Sequence, residues 1–116
     1  MRTKDKSVSL EQMSPAMWPM AMRVDRVYRE ELDYELVITA GSELTVKHKK
    51  GSFHYPENTP DKFCRAIDCR TRINKFSGLQ LVGDKRVHFH GKVKAAAGEN
   101  FQVIDEGDHF NIELDR

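Results

Sequence analysis

The sequence predicts a single α+β domain with a small antiparallel sheet and two to three helices. Its 116 residues fit one domain and leave no room for two of ordinary size. Hydrophobic residues make up 39% and charged residues 32%, which is typical of a soluble globular chain. Segments with helical and strand periodicity follow one another without regular alternation, and that order favours α+β over α/β.

The first element is a helix, which follows a loosely ordered lead-in at residues 1–13 and opens a domain spanning 14–116. Ser14 followed by Pro15 resembles an N-cap and a first helical residue. Pro19 either kinks this helix or marks its true start. Apolar residues at helical spacing carry the helix through about residue 31, namely Met20, Val24, Val27 and Tyr28.

Two strands flank a long loop in the middle of the chain. Tyr34–Ala40 is rich in β-forming residues and ends at a glycine, which predicts a strand. Residues 42–62 are polar and contain glycine and proline, so we interpret them as a loop that is either functional or disordered. Arg65–Thr71 is predicted as the second strand, with Asp68 and Arg70 on one face.

The C-terminal third predicts a helix and a β-hairpin. The helix covers about residues 85–97 and ends at Gly98. Phe101–Ile104 and His109–Leu114 are predicted as two short strands joined by residues 105–108. The apolar face of the helix is formed by Phe89, Val93, Ala96 and Ala97.

Composition excludes several classes of partner and location. A formal net charge of +1 gives no electrostatic reason to expect nucleic acid binding. No apolar run approaches the ~20 residues of a membrane-spanning helix. The polar start of the chain does not resemble a signal peptide, which predicts the cytoplasm of the producing cell. Two cysteines are too few for a disulfide framework. The sequence leaves the oligomeric state open, and a monomer is the simplest expectation.

Several side chains are candidates for a metal site. Catalytic zinc takes three protein ligands and leaves one position for water. His109 and Asn111 point to the same side of the last strand, because side chains alternate along a strand. Glu106 lies close enough to this strand to accept a proton from a water at the metal. The full set of candidates is His48, His54, Asp68, Glu106, His109 and Asn111.

A His-x-His pair, His88 and His90, lies in the predicted second helix. Residues two apart on a helix point in different directions. We therefore do not expect these two imidazoles to bind one ion.

Four segments resemble the zinc D-Ala-D-Ala carboxypeptidases and their phage relatives, a family that includes hedgehog-like domains. Three of them are VITAG at 37–41, HKKGSFHY at 48–55 and RAIDCRTR at 65–72. The family pattern is Ser-x-His-x-x-Gly-x-Ala-x-Asp, often followed by Arg-Thr. The ending VIDEGDHFNIELD at 103–115 resembles the closing Glu-Gly-x-His-x-His-x-Glu segment. Together they cover the region from the first strand to the end of the chain in the family order.

The resemblance implies a role for each matching residue. His54 would be the first zinc ligand and Asp68 the second. Glu106 would be the catalytic base, and His109 would assist the substrate carbonyl. The third ligand position falls on Asn111, which departs from the family because zinc favours nitrogen and thiolate donors.

A second departure is the spacing between the first two ligands. The step from His54 to Asp68 is fourteen residues where the family has seven, with residues 56–63 inserted and Cys64 in place of a glycine. Loops absorb such length at small entropic cost. Two alternatives supply a third ligand: His109 shifted by one pleat, or a Cys64 thiolate. Without either, the site is lost or binds metal weakly.

The resemblance implies a zinc-dependent peptidase that hydrolyses peptidoglycan stem peptides, as a D,D- or L,D-carboxypeptidase or endopeptidase. It also suggests a phage or prophage origin, with action on the cell wall after release. Expected substrate contacts are His48, Ser52 and a lysine, either Lys50 or its neighbours Lys47 and Lys49. Arg70 is expected to contact Asp68 or the substrate. The alternative is a catalytically degenerate member that serves as a structural or binding protein of a virion.

Overall fold

The computed structural model describes residues 1–43, 48 and 50–115. Within them the chain forms five strands and two α-helices, with a short 3-10 turn at Pro56–Asn58. The elements are β1 (Arg2–Thr3), α1 (Met17–Leu32), β2 (Val37–Ala40), β3 (Ala66–Arg70), α2 (Gly83–Ala97), β4 (Phe101–Asp105) and β5 (His109–Leu114). The sheet order is β1-β2-β3-β5-β4, and only the β1–β2 pair is parallel. The predicted α+β class is confirmed.

Helix α1 begins slightly later than Ser14 and Pro15 suggest. Met17 donates its backbone N–H to the carbonyl of Ser14 at 2.9 Å, so a turn precedes the helix. Pro19 is the third residue of α1 and lies in the first helical turn, where a backbone N–H has no intrahelical partner, so the helix accommodates it. The buried face of α1 is Met17, Met20, Ala21, Val24 and Tyr28.

The lead-in differs from the loosely ordered segment that the sequence predicts. The backbone N–H groups of Arg2 and Lys4 donate to the β2 region at 3.0 and 2.9 Å. Met13 is buried and bridges to Cys64. Sheet-edge pairing uses backbone groups and needs no apolar pattern, so polar residues can join the sheet without a signal in the sequence. This strand adds one parallel pair to the predicted antiparallel sheet, which makes the sheet mixed.

The central strand, β3, positions the chemistry. It is antiparallel to β5, and Asp68 lies directly opposite Asn111 in this register. Directly paired residues share one face of a sheet and bring their side chains close together. The predicted helix and hairpin that follow are confirmed as α2, β4 and β5.

Arg86 fastens α2 to the sheet. The residue is 7% exposed, and its guanidinium donates to Asp105 of β4, to Thr71 Oγ1 at 3.0 Å and to the Leu81 carbonyl at 2.8 Å. It also lies over the Phe110 ring, 5.1 Å from the centroid. Hydrogen bonds from this guanidinium lower the pKa of Asp105 to about 2.

Asp105→Asn is expected to lower the free energy of unfolding at pH 7 by about 1 kcal/mol. The pKa shift alone corresponds to about 2 kcal/mol, discounted because the side chain is 39% exposed. The folded pKa lies below the ordinary 3.8, so this stability is present above about pH 4 and is lost as the pH falls towards 2. Urea unfolding of the wild type and of Asp105→Asn should show a smaller difference in the free energy of unfolding at about pH 3 than at pH 7. A difference independent of pH would contradict this account, and the exposed Glu99→Gln serves as the control.

Neither α-helix in the described part of the chain is long and apolar enough to cross a membrane.

Candidate metal centre

His54 is fixed in a buried position beside the end of β2. Its side chain Nδ1 lies 2.7 Å from the carbonyl oxygen of Gly41, and its backbone N–H donates to Ser52 Oγ at 3.1 Å. A side chain at Gly41 would collide with the Ser9 carbonyl, 2.2 Å from an ideal Cβ. Glycine at this position therefore lets the lead-in approach the end of β2 closely.

The hydrogen bond to Gly41 sets the tautomer of His54. A carbonyl oxygen only accepts, so we assign the proton to Nδ1. In the neutral imidazole, the lone pair of Nε2 then faces two more acceptors. These are Asp68 Oδ1 at 3.2 Å and Asn111 Oδ1 at 3.1 Å.

The amide of Asn111 is held with its oxygen towards His54. Its Nδ2 donates to Glu113 Oε1 at 2.7 Å, which leaves Oδ1 facing the imidazole. Asn111 is buried, and the two strands that carry Asp68 and Asn111 are paired in register. Three electron-pair donors, one nitrogen and two oxygens, therefore converge on one point.

Three converging acceptors repel one another unless a proton or a cation lies between them. Burial lowers the pKa of His54, but hydrogen bonding to Asp68 and the charge of this carboxylate outweigh it and raise the pKa. A second proton on the imidazole is therefore one way to satisfy the group. A divalent cation is the other, and the donor set fits one, although an amide oxygen is a weaker donor to zinc than imidazole.

His48 lies against His54 without pointing at the same place. The two rings are parallel within 3°, with centroids 4.0 Å apart. The ligand atoms of His48, His54 and Asp68 lie within 4.8 Å of one another. However, an imidazole lone pair lies in the ring plane, so two stacked rings cannot both aim at one ion. Nε2 of His48 also lies 3.2 Å from a carboxylate oxygen of Glu43, so this nitrogen already has a partner. In the observed side-chain positions Asn111 is therefore the better third donor.

Glu43 is a residue of the site that sequence reasoning missed. Its side chain is buried and accepts backbone N–H groups from Gly41 at 2.9 Å and Ser9 at 3.2 Å. It thereby joins the lead-in, the end of β2 and His48. A glutamate just after a strand end carries no spacing signal, and its role depends on the lead-in being ordered.

Glu106, in the β4–β5 turn, and His109, the first residue of β5, lie at the rim of the centre. The backbone N–H of Glu106 donates to the His109 carbonyl at 3.0 Å. His109 Nε2 is 3.6 Å from Asp68 Oδ1, while its Nδ1 faces Asp108. The β3–β5 register pairs His109 with Arg70, and Asn111 occupies the position beside His54.

An open cleft of about 440 Å³ contains the converging group. Three of the residues predicted to bind substrate line it: His48, Lys50 and Ser52. Arg70 is not among the described lining residues. Burial lowers the pKa of Arg70, and the nearby charges of Arg72 and Arg2 lower it further. The remaining lining residues include Asp68, Glu106, His109, Asn111 and Glu113.

Two other predicted contacts, Lys47 and Lys49, lie outside the described residues.

The inserted segment does not separate the first two predicted ligands. Residues 56–63 fold as a compact loop around Thr59, whose Oγ1 donates to the Phe63 carbonyl at 2.7 Å. The Asp61–Arg65 ion pair closes the loop at 3.0 Å. His54 and Asp68 therefore meet despite the fourteen-residue step.

Cys64 does not belong to the converging group of described side chains. Its thiol is buried and donates to the Ala66 carbonyl at 3.4 Å. Burial raises the pKa of this thiol to about 11, which favours the neutral form over the thiolate that zinc requires.

His88 and His90 also lie apart from the cleft. His90 Nε2 bonds the Val103 carbonyl at 2.7 Å, while His88 faces Glu31 at 3.6 Å. Their different directions on α2 agree with the expectation that they do not share an ion.

Comparison with known proteins found no matching family model, curated protein or solved structure.

Proposed function

We propose that this protein is a zinc-dependent peptidase that hydrolyses amide bonds of peptidoglycan stem peptides. The observation that carries the proposal is the convergence of His54, Asp68 and Asn111, with Nε2 of the imidazole 3.2 and 3.1 Å from the two oxygens. Glu106 and His109 line the same cleft. The substrate class rests on the resemblance of the sequence segments to the D-Ala-D-Ala carboxypeptidase family.

Each residue is given the role that the resemblance implies for it, and its position in the cleft supports that role. His54, Asp68 and Asn111 would hold the cation, which when bound polarises a scissile carbonyl and lowers the pKa of a water from ~16 towards ~7. Glu106, at the rim, would accept the proton of the attacking water and pass it to the leaving amine. His109 would donate a hydrogen bond to the carbonyl oxygen as negative charge develops there.

Asp68 is expected to be essential for holding the cation. Asp68→Asn keeps the shape of the side chain but removes the charge, so we expect zinc affinity to fall at least ~10-fold and hydrolysis to fall with it. Isothermal titration and a muropeptide assay measure the two effects. The exposed Asp84→Asn is the matched control and should change neither. Full zinc affinity in Asp68→Asn would exclude this carboxylate as a ligand.

A second candidate is a non-catalytic module that binds stem peptides. The observation that favours it is Asn111, because the amide oxygen is a weaker zinc donor than the histidine of the family pattern. Such a module would bind muropeptides in the same cleft without turnover. Zinc-loaded protein that binds muropeptides but releases no cleaved product by mass spectrometry would decide for this candidate.

A further inference from the structure

The connection between β3 and α2 is ordered by hydrogen bonds. Backbone bonds join Ile73 N–H to the Leu79 carbonyl at 3.0 Å and Leu81 N–H to the Thr71 carbonyl at 2.9 Å. At the tip, Asn74 Oδ1 accepts the N–H groups of two following residues at 3.0 and 2.8 Å. Residues 71–81 therefore form a hairpin, named here the β3–α2 hairpin.

One face of this hairpin changes from buried residues at its base to exposed apolar residues nearer its tip. Arg72 and Gln80 pair as an antiparallel β-bridge. Because side chains alternate along a strand, the opposite face carries Thr71, Ile73, Leu79 and Leu81. Thr71 and Leu81 are buried, whereas Leu79 is 68% exposed. Phe76, at the tip, is 93% exposed.

Apolar exposure is concentrated on and beside the hairpin. Nine large hydrophobic side chains are exposed among the described residues, and five of them lie within residues 73–87. Ile73 and Leu79 are paired across the hairpin, so their exposed side chains are neighbours. Contiguous apolar exposure marks an interaction surface, whereas scattered exposure does not. The five are Ile73, Phe76, Leu79, Val82 and Val87.

The hairpin is also basic. Arg72 and Lys75 lie within residues 71–81, and this segment contains no aspartate or glutamate. The next acidic residue along the chain is Asp84, in α2. The Lys75 ammonium lies 6.0 Å from the centroid of the Phe76 ring, so a cation and an aromatic ring are side by side at the tip. The complementary surface must therefore be apolar and anionic together.

An anionic lipid bilayer meets both requirements. Phe76, at the tip, is 93% exposed and is not among the residues that line the described clefts, so the tip offers no groove for a peptide. A second copy in a symmetric dimer would set Arg72 and Lys75 against their own counterparts. At a bilayer surface, an aromatic side chain enters the boundary of the acyl chains while lysine and arginine meet anionic headgroups. We propose that the β3–α2 hairpin docks the protein on anionic membranes through Phe76 and Leu79, with Arg72 and Lys75 at the headgroups.

Vesicle sedimentation tests this proposal with vesicles of phosphatidylglycerol and phosphatidylcholine, and of phosphatidylcholine alone. Binding is expected to the anionic vesicles and to weaken as salt is raised. Phe76→Ser should lower the partition coefficient about 10-fold, since it removes one buried aromatic side chain. Lys75→Gln should lower it about 5-fold on anionic vesicles only. Because Phe76 is 93% exposed in the free protein, its loss should leave the fold intact.

Phe63→Ser is the matched control, since Phe63 is also exposed but lies in the 56–63 loop. It should bind anionic vesicles like the wild type. The proposal is overturned if the wild type binds no vesicles, or if Phe76→Ser binds as well as the wild type. It is equally overturned if the wild type is a dimer in sedimentation equilibrium and Phe76→Ser is a monomer, because the hairpin would then be an interface between copies.

Discussion

Glu106→Gln is expected to lower the rate of muropeptide hydrolysis by about 10²–10⁴-fold while zinc remains bound. Glu106 lines the cleft but is exposed and does not belong to the group of donors that converges on His54. Its loss should therefore remove proton transfer and leave the cation in place. The amide keeps the length of the side chain, so the β4–β5 turn should be unchanged.

Two measurements on Glu106→Gln separate the possible roles of this residue. Elemental analysis gives the zinc content, and single-turnover assays give the rate of the chemical step. Loss of zinc would make Glu106 a ligand, and undiminished turnover would remove it from the mechanism. Glu99→Gln, on the exposed segment before β4, is the matched control and should behave like the wild type in both measurements.

Asn111→His is expected to strengthen zinc binding by about 10-fold or more, which corresponds to at least about 1.4 kcal/mol. Imidazole nitrogen is a better zinc donor than an amide oxygen. Glu113 already accepts a hydrogen bond from the Asn111 side chain at 2.7 Å. It could accept one from a new imidazole and orient it, as carboxylates do for metal-binding histidines.

The matched opposite change is Asn111→Leu, which removes the third donor and should weaken zinc binding below that of the wild type. Competition with a fluorescent zinc chelator gives the three affinities on one scale. Equal affinities for all three proteins would mean that position 111 does not contribute a ligand, and that another side chain completes the site.

Sequence periodicity was sufficient to predict the elements that bury a regular apolar face. Helix α2 and the β4–β5 hairpin are confirmed close to their predicted bounds, because Phe89 and Val93 repeat at helical spacing and the strands alternate. Strand β1 could not be predicted. It joins the sheet through the backbone of Arg2 and Lys4, and such pairing leaves no pattern in the side chains.

The sequence predicts which residues belong to the candidate site better than it predicts their geometry. The motif resemblance predicts His54 and Asp68 as ligands of one cation, and the two side chains lie together despite the inserted loop. The convergence of Asn111 depends on the β3–β5 register, which the sequence alone does not specify. No sequence pattern indicates Glu43, because its contacts come from Ser9 in the lead-in and from Gly41 at the end of β2.

Zinc titration of the chelator-treated protein tests the central claim, that His54, Asp68 and Asn111 hold a cation. Isothermal titration should give one zinc per chain for the wild type and at least ~10-fold weaker binding for Asp68→Asn. Circular dichroism of each sample shows whether the protein is folded. A folded wild-type protein that takes up no zinc, or one whose zinc binding is unaffected by Asp68→Asn, would contradict the claim.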